Sequence, residues 1–542
     1  MANQMGSEWI YWLIFIIYLL FLAVAGYYAK RKTRTLEDYM VAGRNIGPLL
    51  LGLSFGVTYF SAVIIVGGGQ YSWIWGLGVL WIAAINVLVG VFLIFILFGG
   101  KTKTLGEHLG CLTVPQLISR RYQDPRLQTF TSIVILFFET IYLVSIYMGL
   151  SLLLAVAMPG NPYAYPIAVM ICGAITIIYL NMGGSHGAIY TDAVESVIML
   201  VGVMSIFFFG IYAIGGFDAF LQTLGEIEAK ETGKGSLTTF PGAGGFGLIG
   251  FILVTSFGVW GMPQMITRFY TAQKQRSIRW GLVISCCWAF FVAIFAYFNG
   301  AIARAYFFKN DPSTYNQISA GQGESAIPML MVATLPVVLA GLFLAAVTAA
   351  SLTTGEKVIM IAASGFSIDV YQAKTGCSND KALYITKITT TIVVIVAAFL
   401  AILKPGAVLA LCMFAWAAMA STILIPYVFG MFWKGGTAKA ALLSGAAALI
   451  SAVLWFILFR GAQAWTAVGL IYPAELGAIA ATPVLITPIM VITIGSIHEF
   501  IVSQVIAIIA FPIISLITRN SKPSEEFLEE IFTLMQKSKD EE

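Results

Sequence analysis

Two interrupted apolar segments, about 200 residues apart, constrain this fold more than any other feature. The first covers residues 54–69 and ends in three glycines, and the second covers residues 256–264 and contains Gly258, Gly261 and Pro263. Lipid offers no water to freed backbone N–H and C=O groups, so a broken helix is stable only inside protein or beside a wet cavity. Two such segments, one in each half of a polytopic chain, indicate a central binding site of the kind that transporters use.

The composition is that of a membrane protein. The chain has 542 residues, of which 59% are hydrophobic and only 10% are charged, whereas soluble domains carry roughly 25% charged residues. The charges gather in short clusters between long apolar runs, a pattern typical of a polytopic helical membrane protein. We therefore expect an all-α fold in a lipid bilayer, and no nucleic-acid partner.

Nothing in the sequence indicates an enzyme, a resident metal or a cofactor. The six cysteines and three histidines show no metal-ligand spacing. We interpret the cysteines as small apolar packing residues. The sequence contains no nucleophile constellation and no phosphate-binding loop. We expect a protein that is not an enzyme and has no cofactor.

The apolar runs predict about 13 membrane spans of roughly 20 residues each. The predicted spans are 9–29, 48–67, 74–98, 127–156, 164–181, 190–214, 245–267, 280–303, 327–357, 384–403, 406–432, 438–459 and 483–518. The last is too long for one simple crossing. The stretch 466–495 is ambiguous and contains either a re-entrant piece or an extra span.

The distribution of Lys and Arg predicts the orientation in the cell membrane. Basic clusters follow the first, third, seventh, eleventh and last spans. They all fall on one side if the number of spans is odd, and the positive-inside rule makes that side cytoplasmic. The N-terminus is then outside, the C-terminus is inside, and the acidic loop 216–243 is outside. The first span lacks a basic leader and is not expected to be a cleaved signal peptide.

The positions of the breaks predict an internal repeat. We expect an extra N-terminal helix and cytoplasmic linker in 1–45, five-helix repeats in 46–215 and 216–432, additional helices in 433–520 and a cytoplasmic tail in 521–542. Because five is odd, the second repeat enters the membrane from the opposite side, which makes the repeats inverted. In the tail, Phe527, Ile531, Phe532 and Met535 have helical spacing; an amphipathic helix on the membrane or the protein and a partly disordered tail are both consistent with it.

Span 327–357 contains paired hydroxyl residues, Thr353 and Thr354. Hydroxyls in a membrane helix usually bond their own backbone or pack closely, and this reading is sufficient on spacing alone. The alternative is an ion site, because a hard cation needs several oxygen ligands and a broken helix supplies free carbonyls. The spacing leaves both readings open.

The chain resembles the sodium/solute symporter family, which has the leucine-transporter fold. The resemblance covers roughly residues 37–460 and depends on the order of several motifs rather than on any one of them. These motifs are Glu37-Asp38-Tyr39-Met40-Val41-Ala42-Gly43-Arg44, Asn181 to Asp192 with its "GG…A…TD" pattern, Gly341 to Tyr371 with its closing Ile368-Asp369-Val370-Tyr371, and Phe432-Trp433-Lys434 through Lys439-Ala440-Ala441.

The resemblance implies a sodium site and a mechanism. Carried over residue by residue, the main sodium ligands are the backbone carbonyls of Val57, Phe60 and Ala350 and the hydroxyls of Thr353 and Thr354. It also implies alternating access, in which a central cavity opens to each side in turn.

The chain departs from the family pattern beside this site. Many relatives carry small hydroxyl residues two and three positions after the hydroxyl pair, where some bind a second sodium with the acid of the "TD" signature. Here those positions are Glu356 and Lys357, and the acid is Asp192. Either Lys357 pairs with Asp192 or Glu356 and takes the place of a second cation, or it snorkels to the cytoplasmic face. Under both readings a second sodium is not expected.

Two further acids lie in predicted spans. Glu139 is in the middle of span 127–156 and either faces the cavity, as a coupling group, or bonds a neighbouring helix. Glu195 is three residues after Asp192 and shares its helix face. We expect Glu195 near the cytoplasmic end, in contact with water.

The two breaks predict the substrate pocket, because both must converge to satisfy their backbone groups. We expect Tyr59, Ser61, Ser256, Trp260, Gly261 and Gln264 to line or border it. The positions that match the polar residues of the sugar-transporting branch are too apolar for a polyol. The pattern is nearest to the pantothenate, monocarboxylate and proline branches.

The predicted function is secondary symport, in which inward sodium flow drives uptake of a monocarboxylate, a pantothenate-like acid or an amino acid such as proline. The alternatives are a solute sensor or receptor with a transporter-like core, and coupling to protons rather than sodium. The expected partners are the solute, the sodium ion and the bilayer; the sequence leaves the oligomeric state open.

Overall fold

The computed structural model describes the chain except residues 1–7, 33–34, 62, 156, 234, 322, 463–464, 466–470, 487–490 and 541–542. It also describes no side chains for a few helical stretches, of which 178–188 is the longest. The ends of the predicted N-terminal region and tail, and part of the basic cluster after the first span, therefore lie outside the described residues.

The first part of the chain folds into short and interrupted helices. They are α1 (Glu8–Lys32), α2 (Leu36–Val41), α3 (Pro48–Tyr59), α4 (Gly68–Trp75), α5 (Leu80–Ile85), α6 (Gly100–His108) and α7 (Val114–Tyr122). Wider π-helical turns precede α4 at Val63–Gly67 and join α5 to α6 at Asn86–Leu93 and Phe95–Gly99. Gly76, which ends α4 with a φ of 65°, separates it from the next helix.

The middle of the chain contains the long helices. They are α8 (Pro125–Ala155), α9 (Ala164–Ile214), α10 (Phe217–Ile227), α11 (Gly245–Ser256), α12 (Pro263–Thr271), α13 (Gln275–Asn310), α14 (Pro312–Ser319), α15 (Ala326–Thr334) and α16 (Val337–Ser364). A π-helical extension, Gly365–Gln372, continues α16 beyond the predicted end of its span.

The last part combines helices with one small hairpin. It contains α17 (Ala373–Thr375), α18 (Asn379–Leu403), α19 (Val408–Phe432), α20 (Ala438–Trp455), α21 (Ala474–Ala480), β1 (Pro483–Ile486), β2 (Val491–Thr493), α22 (Glu499–Ile517) and α23 (Glu525–Asp540). The strands pair antiparallel. Helix starts carry the expected caps: the hydroxyls of Ser378 and Thr437 accept from the backbone N–H three residues on.

The structure confirms an all-α, polytopic architecture, but not the predicted number of spans. The described residues contain 10 helical runs that are long and apolar enough to cross a membrane, with shorter apolar helices at Trp9–Tyr18, Pro48–Tyr59 and Ala164–Ile177. Of these three, only Pro48–Tyr59 is shortened by a break; Trp9–Tyr18 and Ala164–Ile177 are the fully described parts of the longer helices α1 and α9.

The predicted separation of spans 164–181 and 190–214 is wrong in one respect. The structure records Ala164–Ile214 as one helical run of 51 residues. At 1.5 Å per residue a straight run of this length would be roughly 75 Å long, more than one crossing of a 30 Å hydrocarbon layer needs. No proline follows Pro166 in this run, and the backbone between the two predicted spans is helical.

Two other predicted spans have wrong boundaries. Span 327–357 is divided, since α15 ends at Thr334 and α16 begins after Pro336. Proline lacks an N–H and cannot lie inside a regular helix without a break, whereas it is suited to a helix start. Span 483–518 begins as the β1–β2 hairpin, and its helix starts only at Glu499; β-branched Val484, Ile486, Val491 and Ile492 favour strands.

Helices α3, α8, α9, α13, α16 and α19 pack around one another and enclose the two interruptions. Close approach depends on glycine at the crossing of α3 and α13. A Cβ at Gly56 would lie 2.4 Å from the Trp288 ring, and one at Gly52 would lie 2.8 Å from the Gly281 carbonyl oxygen. Small residues at these two positions therefore set how closely α3 and α13 can pack.

The C-terminal tail forms a helix that packs on the protein. In α23, Leu528, Ile531 and Met535 are buried, and the helix contacts α6. His108 Nε2 lies 2.9 Å from the Glu530 carboxylate, and the Arg121 guanidinium lies 5.5 Å from the centre of the Phe532 ring. The helical interpretation of the tail is correct, with a protein surface as its partner.

Candidate functional site

The first interruption follows the end of α3. Phe60 leaves the helix with extended backbone angles (φ −112°, ψ 109°), although its N–H still bonds the carbonyl of Gly56 at 2.9 Å. The Ser61 hydroxyl accepts a hydrogen bond from the N–H of Val63 at 3.3 Å. The polar groups of the break are thus partly satisfied by its own side chains, as a membrane interior requires.

The second interruption lies between α11 and α12. A single 3₁₀ turn, Gly258–Gly261, follows α11, and Met262 is extended (φ −82°, ψ 121°) before Pro263 starts α12. Pro263 lies at a first helical position, where its missing N–H costs nothing. The predicted breaks are both confirmed.

The interruptions meet through a small polar network. The Tyr59 hydroxyl donates to the carbonyl of Thr255 at 2.5 Å. Asn86 Oδ1 accepts hydrogen bonds from the hydroxyls of Thr255 and Ser256, each at 2.8 Å. Asn86 begins the π-helical turn after α5 and has no counterpart among the residues predicted from the sequence.

A small cavity of about 30 Å³ lies at this meeting point. Its walls are mainly aromatic: Tyr59, Phe60, Tyr142, Tyr297 and Trp416. The rings of Tyr59 and Trp416 stack with centroids 6.1 Å apart, and Tyr142 meets Trp416 edge-on at 5.7 Å. Ser61, Asn86 and Thr255 add polar groups.

The residues predicted for the pocket are not all brought to it. Tyr59 and Ser61 line the cavity, and Ser256 borders it through Asn86. Trp260 instead donates to the Val89 carbonyl at 3.0 Å and packs on Phe98.

The other two lie away from the lining. A Cβ at Gly261 would meet α19 at Ala420 and Leu424, and Gln264 is buried with neither amide atom hydrogen-bonded in the described structure. The sequence missed Tyr142, Tyr297 and Trp416 because aromatic residues are frequent in every span.

An oxygen cluster lies where α3 meets α16. The Thr354 hydroxyl is 3.3 Å from the Val57 carbonyl oxygen and 2.8 Å from that of Ala350. The Thr353 hydroxyl is 3.2 Å from the same Ala350 oxygen. Four of the five residues predicted as sodium ligands therefore share one cluster, and the fifth, Phe60, follows directly in the break.

Glu195 belongs to this cluster, contrary to the expectation that it lies in water at the cytoplasmic end. It is fully buried, and its Oε2 accepts from the Thr353 hydroxyl at 2.8 Å. Its Oε1 accepts from the Tyr18 hydroxyl of α1 at 3.4 Å. The predicted span began at residue 190, which put Glu195 near a helix end. In the structure α9 already begins at Ala164, so residues 192–195 lie inside the bundle rather than at its rim.

One turn further along α16, Lys357 is buried and does not snorkel. Its ammonium lies 2.6 Å from each carboxylate oxygen of Asp192 and 2.9 Å from the Thr58 hydroxyl. Ser54 also donates a hydrogen bond to Asp192. The ion pair thus links α16, α9 and α3, and it occupies a place beside the oxygen cluster.

Glu356 does not pair with Lys357 by hydrogen bonding. It is buried, and neither of its carboxylate oxygens has a hydrogen-bond partner in the described part of the chain. Arg268 of α12, itself buried, acts electrostatically on both Glu356 and Asp192. Three buried acidic residues (Asp192, Glu195 and Glu356) and two buried basic residues (Lys357 and Arg268) thus lie in this part of the bundle, and only Lys357 and Asp192 among them form an ion pair in the described structure.

Glu139 is also buried, with both carboxylate oxygens lacking a hydrogen-bond partner among the described residues. It lies in α8, three residues before Tyr142, so the two share a helix face. Its charge also acts on Cys412 of α19, and both of these neighbours line the cavity. We expected Glu139 either to face the cavity or to bond a neighbouring helix. Among the described residues no such bond is formed, so the second interpretation finds no support.

The comparisons with known proteins agree with this geometry. The model of the "Sodium:solute symporter family" matches residues 39–447. The chain belongs to the sodium:solute symporter family. It is therefore a multi-pass membrane transporter rather than an enzyme, and it couples sodium to the movement of a small organic solute.

Curated relatives and solved structures extend the match over most of the chain. The sodium/proline symporter of Salmonella typhimurium is 26% identical over 81% of this chain and 86% of its own length. The sodium/pantothenate symporter of Haemophilus influenzae is 26% identical over 79% and 87%. A Na⁺-coupled sialic acid symporter in a substrate-bound outward-open state matches with a TM-score of 0.71 and 16% identity over 94% and 98%. The leucine-transporter fold is thus confirmed.

Proposed function

We propose that the protein imports a small organic acid or zwitterion with one sodium ion per substrate. The observation that carries this proposal is the pair of adjacent features on α16: an oxygen cluster at Thr353 and Thr354, and a buried ammonium at Lys357 one turn later. The first suits an exchangeable cation, and the second fills the neighbouring place with a cation that cannot leave.

The oxygen cluster fits sodium in its chemistry. Hard cations prefer carbonyl, hydroxyl and carboxylate oxygens, and the cluster offers carbonyls of Val57 and Ala350 and hydroxyls of Thr353 and Thr354. Phe60 would add its carbonyl from the break.

The same cluster provides a means of coupling. Val57 belongs to α3 of the first interruption, whereas Ala350, Thr353 and Thr354 belong to α16. A cation bound between them holds the two helices together and orders the end of α3, where Tyr59 and Ser61 line the cavity. Sodium binding therefore raises substrate affinity, and substrate binding raises sodium affinity by the same factor.

The substrate proposal follows from the cavity and from the relatives. Relatives named for proline and pantothenate carry a carboxylate-bearing solute. The cavity wall offers Asn86 and Ser61 as polar groups at the meeting of the two breaks. The orientation follows the positive-inside rule, with the N-terminus outside and α23 in the cytoplasm beside basic residues such as Arg121 and Lys434.

Uptake into proteoliposomes tests the proposal. The purified protein is reconstituted and supplied with labelled proline, pantothenate, lactate and related acids, with and without an inward sodium gradient. We expect uptake of at least one of these that requires sodium, and a ratio of one sodium ion to one substrate molecule in paired flux measurements. Uptake that follows a proton gradient and ignores sodium contradicts the proposal, as does a stoichiometry of two.

A further inference from the structure

The C-terminal helix α23 lies across the junction of two groups of helices, on the side of the membrane that carries the tail. This side is cytoplasmic in the proposed orientation. The first group joins α6 to α12 and α13. The Gln275 amide at the start of α13 donates to the Thr104 hydroxyl at 2.9 Å and to the Gly100 carbonyl at 3.3 Å. A Cβ at Gly106 would lie 2.6 Å from the Tyr270 ring of α12. Helix α6 is therefore packed tightly on the half-helix that follows the second break.

The second group joins α7 to the end of α19. The Arg121 guanidinium donates to the Gly430 carbonyl at 2.7 Å and to the Trp433 carbonyl at 3.2 Å. The Tyr122 hydroxyl donates to the Pro426 carbonyl at 2.7 Å. Since only a short link separates α6 from α7 in the sequence and neither helix runs into the other, the two groups can separate without unfolding a helix.

A second small cavity, of about 10 Å³, lies between these two groups. Pro263 and Thr267 of α12 line it from the first group. Thr113 and Val114, at the start of α7, line it from the second group, and α16 adds Ser364. The space is roughly that of one water molecule. Because a transporter must open its central site to each side in turn, separation of the two groups would widen this cavity into a route from the second break to the tail side.

Helix α23 bridges the two groups, mainly through an apolar face. Leu528, Ile531 and Met535 are buried against the protein, and the helix packs on α6 of the first group. Phe532 reaches the second group: its ring centre lies 5.5 Å from the Arg121 guanidinium and 5.7 Å from the Lys434 ammonium. Separation of the groups therefore exposes apolar surface of α23 to water, which is unfavourable.

The charged contacts of α23 lie at the edge of this interface. His108 Nε2 of α6 is 2.9 Å from the Glu530 carboxylate, and the Lys434 ammonium is 4.0 Å from that of Glu529, but the two acidic side chains are 54% and 73% exposed. Exposed ion pairs contribute little, because water and salt screen them. The apolar face is therefore the part of α23 whose substitution tests its role.

We propose that α23 is a strap that restrains the transporter from opening toward the tail side. The two groups also touch directly, where the Lys101 ammonium of α6 lies 3.5 Å from the centre of the Phe432 ring. Release of the strap should therefore shift the balance toward the open state rather than force the groups apart. The inference does not depend on which solute is carried or on how many sodium ions accompany it.

Two matched cysteine probes measure the opening. They are placed singly in the full-length protein after its six native cysteines are replaced by alanine. Ser364→Cys reports on the cavity between the two groups. Ser72→Cys reports on an equally buried position in α4, which does not line that cavity. For each probe we measure the rate of reaction with a small water-soluble maleimide, in nanodiscs.

Two forms of the protein release the strap. Leu528→Asp with Ile531→Asp places two charges on the buried face of α23, and deletion of residues 523–542 removes the helix. In both forms we expect the reaction rate at Ser364→Cys to rise at least threefold, with the rate at Ser72→Cys unchanged. The deletion shows whether the effect comes from loss of the contact rather than from the added charges.

The matched control places the same charges on the exposed face of α23. Thr533→Asp with Gln536→Asp has the same spacing of three residues, and both positions are exposed. Its reaction rates should equal those of the parent protein at both probes. A rise in this variant as large as in the released forms overturns the assignment to the apolar face.

Two further outcomes overturn the inference. An unchanged rate at Ser364→Cys in both released forms means that α23 does not restrain the opening. An equal rise at Ser364→Cys and Ser72→Cys means that α23 only stabilises the fold as a whole. Sodium-dependent uptake by the parent protein, measured separately, leaves the proposed function intact in either case.

Discussion

Two places on α16, one helical turn apart, compensate charge in different ways. At Thr353 and Thr354, hydroxyl and carbonyl oxygens gather with the Glu195 carboxylate beside them. At Lys357, the chain's own ammonium lies 2.6 Å from Asp192. The first place suits an ion that enters and leaves in each cycle, and the second carries a charge fixed to the backbone.

Removing the fixed cation should have the largest effect. Lys357→Ala leaves Asp192 buried without its partner, and breaking a buried pair in this way costs about 3–5 kcal/mol. We expect initial uptake to fall close to background, measured in proteoliposomes with matched protein amounts. Lys309→Ala is the control, since its ammonium bonds the Ile214 backbone carbonyl at a helix end, and it should retain most activity. Normal uptake by Lys357→Ala would reject a functional role for the pair.

The double variant Glu356→Ser with Lys357→Ser sharpens the same comparison. Small hydroxyl residues restore the oxygen-rich pattern that many relatives have, beside an Asp192 that is then free to bind a cation. We expect partial recovery of uptake relative to Lys357→Ala, and a reversal potential that shifts toward two sodium ions per substrate. An unchanged stoichiometry in an active double variant would show that Lys357 does not replace a cation.

Substitutions in the oxygen cluster at Thr353 and Thr354 should lower the affinity for sodium. Thr353→Ala with Thr354→Ala removes two hydroxyl oxygens and preserves helix propensity. We expect the sodium concentration for half-maximal uptake to rise at least about tenfold, which corresponds to about 1.4 kcal/mol. Thr334→Ala, whose hydroxyl bonds only a carbonyl of its own helix in α15, should leave sodium dependence unchanged. Wild-type sodium dependence in the double variant would refute the site.

A smaller effect is expected from Glu195→Gln. The amide keeps the shape and can still accept a hydrogen bond from Thr353, but it removes the negative charge beside the cluster. Half-maximal sodium should rise severalfold, with little change in uptake at saturating sodium. Tyr18→Phe removes the longer contact of 3.4 Å and keeps the charge, so it should stay near wild type. Equal effects of the two variants would indicate a purely structural role.

The smallest effect concerns a carboxylate that hydrogen bonds, rather than a cation, stabilise. Glu228, which begins the π-helical turn Glu228–Thr232 directly after α10, accepts from the N–H groups of Gly235, Leu237 and Thr238 and from the Thr238 hydroxyl. Although burial acts in the opposite direction, these hydrogen bonds lower the pKa of Glu228 below its ordinary value. Its contribution to stability is therefore present at neutral pH and is lost as the pH falls through the lowered pKa.

Glu228→Gln should consequently lower the melting temperature by a few degrees at pH 7 and by less as the pH approaches 4. Thermal unfolding of both proteins across this pH range provides the measurement. A difference that is constant with pH would mean that the charge of Glu228 does not contribute.

The parts of the site that the sequence predicted are those encoded locally. Helix breaks follow from glycine and proline, and both were located correctly. The hydroxyl pair was recognised as a candidate from its place in span 327–357, and Lys357 was recognised because it departs from the family pattern beside that pair. The sequence left open which group Lys357 pairs with, because its contact with Asp192 depends on how α16 and α9 are rotated toward each other. Glu195 was placed in water because the sequence does not give the depth of α9.

The aromatic lining of the cavity, in contrast, could not be predicted from the sequence. Tyr142 and Trp416 lie in apolar spans that are rich in aromatic residues, and nothing local distinguishes them from packing residues. Asn86 was missed for a similar reason: a single amide in an apolar run has no meaning until a partner such as Thr255 is brought to it. Only the packing of α8, α11 and α19 against α3 gives these residues a shared cavity.

The sequence by itself determined that the chain is a polytopic helical transporter, where its helices break, and which hydroxyl and charged residues stand near those breaks. These properties depend on the free-energy cost of exposing backbone groups and charges to lipid, and that cost is set by the type of each residue separately. Tertiary structure alone decided which acid neutralises Lys357, that Glu195 joins the hydroxyls, and which rings enclose the cavity. Each of these depends on the relative rotation and depth of helices far apart in the chain, set by close-packed contacts such as Gly56 against Trp288.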